Sequence, residues 1–267
     1  MKKIKLWASD IDGTLLNYDG SCTPEMEELV KKINKSNCKL VLATGRMFMG
    51  ANHAAKKFNL DNPVICYQGA VVRTKDEVLW QMPIKNELLK EIILYLREKN
   101  IHTHVYNDGK LYVEDEDKKI MSDYCDNRGT TYEVVDDFLK LNLNEVPKIL
   151  AVILSPELMQ EVKKELSEKY KGVLTIVQSS KIYLEINDIG ASKGEALNFL
   201  KEYWGLSDEE VLASGDQDND IELLKSAGIR VCVGDNSPKL KEVANYYCKS
   251  VNSNELVELV EKMALWE

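Results

Sequence analysis

The sequence predicts an α/β fold: a parallel sheet with helices on both faces, interrupted by an inserted α+β domain. Two observations predict it. Strand and helix patterns alternate from residue 4 to Cys66, and the same alternation returns after Ser192. Between them the rhythm changes to short strands paired through turn residues. Strand–helix–strand alternation implies right-handed crossovers over a parallel sheet, whereas consecutive turn-linked strands imply antiparallel pairing.

The first strand is the apolar run 4–9. Thr23-Pro24 then supplies an N-cap and a first-turn proline, and Met26, Leu29, Val30 and Ile33 follow at helical spacing. A second strand covers 39–43, a second helix 47–58 and a third strand 63–66. Residues 70–73 and 78–81 read as a hairpin around Lys75-Asp76. Pro83 precedes a helix carrying Leu88, Leu89, Ile92, Ile93 and Leu96. Strands at 102–106 and 110–113 are joined at Asn107-Asp108-Gly109, a strong hairpin signal. Residues 116–127 read as helix. A strand at 149–154 leads into a helix opened by Ser155-Pro156, and strands follow at 173–177 and 182–186. The first rhythm resumes with a helix from Ser192 to about Trp204, a strand at 211–213, a helix near Asp218, a strand at 229–233 and a last helix capped by Ser253.

The length of 267 residues allows one large domain or two modest ones. An apolar fraction of 44% is enough for a core, and the longest aliphatic run, 149–154, is far too short to span a membrane. The net charge of −9 disfavours nucleic acid, whose recognition draws on a basic surface. The same field repels phosphorylated small molecules, so a site for one needs its own local cation. Cys22, Cys38, Cys66, Cys125, Cys232 and Cys248 form no C-x-x-C pair and read as reduced thiols. The N-terminus has basic residues but no apolar signal region, so a cytoplasmic protein is expected.

Four short segments carry the chemistry. The first strand ends in Asp10-Ile11-Asp12-Gly13-Thr14-Leu15, two carboxylates where a parallel strand runs out and where open α/β sheets bind ligands. The second strand ends in Thr44-Gly45-Arg46, a hydroxyl and a permissive glycine before a helix, suited to an anion. Lys193 opens a helix, where the dipole disfavours it. The strand at 211–213 ends in Gly215-Asp216-Gln217-Asp218-Asn219-Asp220, an oxygen-rich set suited to Mg²⁺. Singly, each has an ordinary reading: an acidic turn, an N-cap threonine, an exposed lysine, an acidic first helical turn. Together they fall on one edge of one sheet. Asp10, Asp12 and the acidic cluster 216–220 suit one divalent cation. Thr44, Lys193 and Asn219 suit a phosphoryl group held against it, and that points to covalent carboxylate catalysis.

In this constellation the chain resembles the haloacid dehalogenase superfamily of phosphohydrolases, in its Cof-type branch, whose large α/β cap is inserted after the third strand. The family pattern D-x-D-G-T-L, S/T-G-R, S-K-G and G-D-x-x-N-D occurs in order as DIDGTL, TGR, SKG and GDQDND. The resemblance covers essentially the whole chain. It implies a Rossmann-like core of residues 1–81 and 187–267 and a specificity cap of residues 82–186. It implies that Asp10 is the nucleophile forming an aspartyl-phosphate, and that Asp12 protonates the leaving oxygen and then activates water. Mg²⁺ would be bound by Asp10, the backbone carbonyl of Asp12 and Asp216, with Asp220 in support. Ile11 through its backbone, Thr44, Gly45, Lys193 and Asn219 would contact phosphate, and Lys193 would keep the carboxylates ionised. The sequence departs from the family in two places: Gln68-Gly69-Ala70 replaces Asn-Gly-Ala, and Gly234-Asp235-Asn236 replaces Gly-Asn-Ala.

The resulting expectation is a Mg²⁺-dependent phosphatase of small phosphorylated metabolites, sugar phosphates first and phosphorylated cofactors such as pyridoxal phosphate or flavin mononucleotide next. A phosphomutase on the same scaffold and a non-catalytic sensor of phosphorylated metabolites are the alternatives. The expected partner is the small phosphate ester alone, with no nucleic acid or membrane, on a monomer or at most a weak dimer. His102 and His104 share one strand face, as a metal pair or as part of a cap sheet. Trp7, Trp80, Trp204 and Trp266 read as packing, 157–171 as a solvated helix face, and Lys181, Tyr183 and Glu185 as candidate substrate contacts.

Overall fold

The computed structural model describes residues 3–126 and 130–264. The chain divides into two units, one of residues 1–80 and 192–267, the other of residues 81–191. In chain order, the first unit begins with β1 (Leu6–Ser9), α1 (Pro24–Asn34), β2 (Lys39–Leu42), α2 (Phe48–Lys57), β3 (Val64–Cys66), β4 (Val71–Arg73) and β5 (Val78–Gln81). The second holds α3 (Asn86–Glu98), β6 (His102–Asn107), β7 (Lys110–Val113), α4 (Lys118–Asp126), β8 (Glu133–Val134), β9 (Ile149–Val152), α5 (Pro156–Lys169), β10 (Leu174–Gln178) and β11 (Tyr183–Asp188). The first unit resumes with α6 (Lys193–Trp204), β12 (Val211–Gly215), α7 (Ile221–Lys225), β13 (Ile229–Val233), α8 (Pro238–Val243), β14 (Tyr246–Cys248) and α9 (Glu255–Ala264).

The first unit is built on a five-stranded sheet in the order β14-β13-β12-β1-β2, every pair parallel. β1 is buried along its whole length, as a central parallel strand covered on both faces must be. Leu6, Ala8, Val41 and Ala43 share a core with Ala196, Leu197 and Leu200 of α6 and Leu223 and Leu224 of α7. α1 packs on β2 and on α9. Its start is set locally: Thr23 Oγ1 accepts from Met26 N at 3.3 Å, Pro24 fills the first turn, and Met26, Leu29, Val30 and Ile33 are buried. The third strand departs from expectation. β3 pairs antiparallel with β4 in a small β3-β4-β5 sheet and touches the main sheet through one parallel bridge, Ala43–Ile65.

The chain leaves β1 toward β2 on one side, while β12 lies on the other. Crossovers diverge at such a switch point and open a crevice at the carboxyl ends of the strands. Asp10 and Asp216 directly follow β1 and β12, so both begin at that crevice.

The second unit is a six-stranded sheet, β10-β11-β9-β6-β7-β8, antiparallel except for the β7–β8 pair. The Asn107–Lys110 hairpin turns through Asp108 (φ 49°) and Gly109 (φ 72°), the double left-handed geometry that Asp-Gly favours. α3 and α5 cover one face of the sheet, with Ile92, Leu96, Val162 and Leu166 packed against Val105, Ile149, Ala151, Leu184 and Ile186. Residue 127, the predicted end of α4, and Trp266 lie outside the described residues.

Candidate active site

Asp10 leaves β1 into a tight loop in which the Ile11 carbonyl accepts from Leu15 N at 3.0 Å and Leu16 N at 2.8 Å. Gly13 sits at φ +85°, and a Cβ there would lie 2.4 Å from Asp216 Oδ2. Glycine is therefore required both for the turn and for the approach of this loop to the β12 loop. Thr44 is buried, and its Oγ1 accepts from Arg46 N at 3.2 Å. Gly45 lies close under the Gln68 side chain, whose nitrogen would be 2.4 Å from a Cβ there.

Lys193 is delivered by α6, whose N-cap Ser192 accepts from Glu195 N at 3.0 Å. Its side chain is only 1% exposed and donates to Asp10 Oδ1 and Asp220 Oδ1, each at 2.6 Å. The dipole that disfavours a lysine at this helix start is overcome by two charge-assisted hydrogen bonds. The second oxygen of Asp220 accepts from the backbone N–H groups of Asp216 at 3.1 Å and Gln217 at 3.2 Å, so Asp220 also shapes the β12 loop. Asp216 accepts from Tyr18 Oη at 2.6 Å, Asn236 Nδ2 and Gln217 Nε2 at 3.2 Å, and Thr14 Oγ1 at 3.4 Å. Asp218, from the same acidic run, turns away to Ser237 and Lys239.

Asp10, Asp216 and Asp220 each present one carboxylate oxygen, and these lie within 4.8 Å of one another. Three buried carboxylates face a single ammonium, which leaves excess negative charge. Burial pushes the Asp10 carboxyl up to about 8, against the opposing pull of Lys193 and with help from Asp220. Burial likewise raises Asp216, while its hydrogen bonds from Tyr18, Asn236 and Gln217 oppose the rise. Burial works to lower the Lys193 ammonium, but Asp10 and Asp220 outweigh it and hold the charge in place. Lys193 favours ionised carboxylates but does not by itself offset the burial of Asp10. An all-oxygen donor set with unbalanced negative charge fits a hard divalent cation such as Mg²⁺.

Asp12 stands apart from that triad. Its carboxylate is gripped by the guanidinium of Arg46, Nε to Oδ2 at 2.9 Å and Nη2 to Oδ1 at 2.5 Å. Asn219 Nδ2 donates to Gln68 Oε1 at 3.0 Å. Tyr18, Arg46, Gln68 and Asn236 are contacts that the sequence reading did not assign. Arg46 stood inside the T-G-R motif, and Gln68 and Asn236 stood in the two departures from the family pattern. Tyr18 carries no signal beyond following DIDGTL closely. Asp235, the other changed residue, pairs with Lys241. In the second unit, His104 is fully buried and packs edge-on against Tyr124 and His102. Glu185 forms a buried ion pair with Lys148 at 3.6 Å.

Residues 7–259 match the family of haloacid dehalogenase-like hydrolases. The chain belongs to that family. The Bacillus subtilis protein YxeH, provisionally designated a phosphatase, is 27% identical over 98% of both chains. A second Bacillus subtilis relative, YitU, is 25% identical over 90% of both chains and is named a 5-amino-6-(5-phospho-D-ribitylamino)uracil phosphatase. A crystal structure of a Thermotoga maritima protein superposes with a TM-score of 0.87 at 30% identity, covering 99% of this chain and 98% of the other. This haloacid dehalogenase-like hydrolase is accordingly an enzyme of the phosphatase class. Among its described residues, no helix is long and apolar enough to cross a membrane.

Proposed function

We propose that the chain is a Mg²⁺-dependent phosphatase of small phosphorylated metabolites, sugar phosphates or phosphorylated cofactors, working through an aspartyl-phosphate on Asp10. The observation that carries the reading is Lys193 bonded at 2.6 Å to both Asp10 and Asp220 beside Asp216, beyond the ends of the central strands. Asp10, the backbone carbonyl of Asp12 and Asp216 would hold the cation, with Asp220 in support, and Mg²⁺ there would supply positive charge both to the carboxylates and to the phosphoryl oxygens.

In the first step an Asp10 oxygen attacks phosphorus as the P–O ester bond breaks. Asp12 gives its proton to the departing oxygen, yielding an alcohol and a phosphorylated Asp10. Asp12 is then the base that takes a proton from water. The water oxygen attacks phosphorus, the bond to Asp10 breaks, and inorganic phosphate forms. The Arg46 fork contacts both oxygens of the Asp12 side chain and fixes its position for this step. Thr44 Oγ1, the N–H groups of Ile11 and Gly45, Lys193 and the Asn219 amide are the groups proposed to hold the phosphoryl oxygens.

Lys193 is also the local cation that a protein of net charge −9 needs to attract an anionic substrate. The phosphorylated ribityl compound in the name of YitU supports a small polyhydroxy phosphate ester as substrate class. Residues 82–186 are proposed as the specificity domain. The six free cysteines support a reducing, cytoplasmic setting. The test is phosphate release from p-nitrophenyl phosphate and a panel of phosphorylated metabolites, with and without Mg²⁺, in the wild type and Asp10→Asn. Mg²⁺-dependent release that vanishes in the variant is expected; release that survives in the variant removes Asp10 as nucleophile.

A further inference from the structure

Residues 67–69 form a tight turn with an unusual backbone. Tyr67 (φ 53°), Gln68 (φ 60°) and Gly69 (φ 98°) are three consecutive residues at positive φ. Such φ values are uncommon outside glycine, and asparagine tolerates them far better than glutamine does. The family pattern places asparagine where this chain has Gln68. The chain therefore keeps a less suitable residue at a demanding backbone position, and strain of this kind concentrates at functional sites.

Gln68 has one methylene more than asparagine, and the structure shows what the extra reach meets. Its Oε1 accepts from Asn219 Nδ2 at 3.0 Å. Its amide nitrogen lies where a Cβ on Gly45 would stand, 2.4 Å away. Its backbone N–H donates to the Thr44 carbonyl at 3.1 Å, and Tyr67 N donates to the Arg46 carbonyl at 3.0 Å. Gly69 approaches the Ser192–Lys193 peptide so closely that a Cβ would fall 2.1 Å from the Ser192 carbonyl and 2.4 Å from Lys193 N. One three-residue turn thus touches the Thr44-Gly45 loop, the start of α6 and the Asn219 side chain.

We propose that Gln68 is a positioning residue for phosphoryl recognition: by accepting one N–H of the Asn219 amide against Gly45, it aims the second N–H at the phosphoryl group. A side-chain amide has two donor hydrogens on one planar nitrogen, so fixing one fixes the other. An asparagine at residue 68 fits the backbone better but is too short to make this contact. This inference rests on the proposed role of Asn219 as a phosphoryl ligand.

The test is inhibition by inorganic phosphate, measured on the Mg²⁺-loaded enzyme as Ki, with thermal unfolding of each protein alongside. The variants are Gln68→Asn, Gln68→Met, Asn219→Ala and the two doubles. Asn219→Ala is expected to raise the phosphate Ki about tenfold, the scale of one hydrogen bond to a charged group. Gln68→Asn and Gln68→Met are each expected to raise it about three- to fivefold, and to add nothing in the Asn219→Ala background. Gln68→Asn is expected to unfold no earlier than the wild type, because asparagine relieves the backbone; a merely structural role predicts no change in Ki. Gln68→Met keeps the length without the amide, so it reports on the contact even if the shorter variant folds poorly. The proposal is overturned if both Gln68 variants keep the wild-type Ki while Asn219→Ala raises it. It is also overturned if the effects multiply in the doubles. An unchanged Ki in Asn219→Ala overturns the phosphoryl-ligand reading itself, and this proposal with it.

Discussion

Replacing Lys193 by methionine isolates the electrostatic work of the site. Methionine fills a similar volume, so the loss is two 2.6 Å charge-assisted hydrogen bonds and the one positive charge among Asp10, Asp216 and Asp220. Removing one partner of a buried ion pair costs about 3–5 kcal/mol when the remaining charge stays ionised. Asp10, already pushed up to about 8 with Lys193 present, must rise further without it. A carboxyl whose folded value lies above its unfolded value stabilises the fold below the unfolded value, and that contribution disappears as pH rises through the folded one. The destabilisation of Lys193→Met should therefore be larger above pH 8 than near pH 5, where Asp10 is protonated and the loss is that of the Asp220 bond. Trp7, Trp80 and Trp204 lie in the first unit and no tryptophan lies within residues 81–191, so tryptophan fluorescence follows the unfolding of the first unit in urea in Mg²⁺-free buffer. Activity should fall by about 10³ in kcat/KM, the scale of removing a donor from a developing oxyanion. An equal loss of stability at both pH values, or none, would refute the assignment of Lys193 as the counter-charge of this cluster.

Three further perturbations probe separate parts of the site. Arg46→Ala should lower kcat about 10²-fold with KM little changed, on alkyl phosphates and p-nitrophenyl phosphate alike, because the water step that Asp12 assists is common to both; Arg46→Lys should not restore it, because the two-point grip on Asp12 needs the guanidinium plane. Chelation of the cation should leave a protein that loses stability between pH 5 and pH 8, and thermal unfolding with added Mg²⁺ should show a larger gain at pH 8 than at pH 5, since Asp10 must release its proton to bind metal. Gly13→Ala forces a methyl group to within 2.4 Å of Asp216 Oδ2 at φ +85°, and should cost about 1–3 kcal/mol in urea unfolding together with most of the activity.

Much of this architecture is legible in the sequence because its signals are local. Thr23-Pro24 caps α1 as its residue types dictate, and Asp108-Gly109 makes the hairpin turn its backbone preferences favour. The four motifs lie at the strand and helix ends that the pattern predicts, and the sheet order gathers Asp10, Lys193, Asp216 and Asp220 at one edge. What was not legible depends on contacts between distant segments. β3 carries an apolar run that suits a parallel or an antiparallel strand equally, and only its pairing with β4 decides. β8 is two exposed residues with no periodic pattern. Tyr18 reaches Asp216 across 198 residues of chain, and Gln68 meets Asn219 across 151, so neither partner is visible from the other's surroundings. The balance between Lys193 and burial at Asp10 is likewise a property of the folded interior, where solvent is excluded.

The most direct test of the mechanism is to catch the phosphorylated enzyme. Mg²⁺-loaded protein turning over p-nitrophenyl phosphate is quenched in acid, digested and examined by mass spectrometry. The account predicts one phosphoryl group on the peptide containing Asp10, removable by hydroxylamine as an acyl phosphate is, and none in Asp10→Asn. A phosphoryl group on a different residue, or undiminished phosphate release by Asp10→Asn, would contradict it.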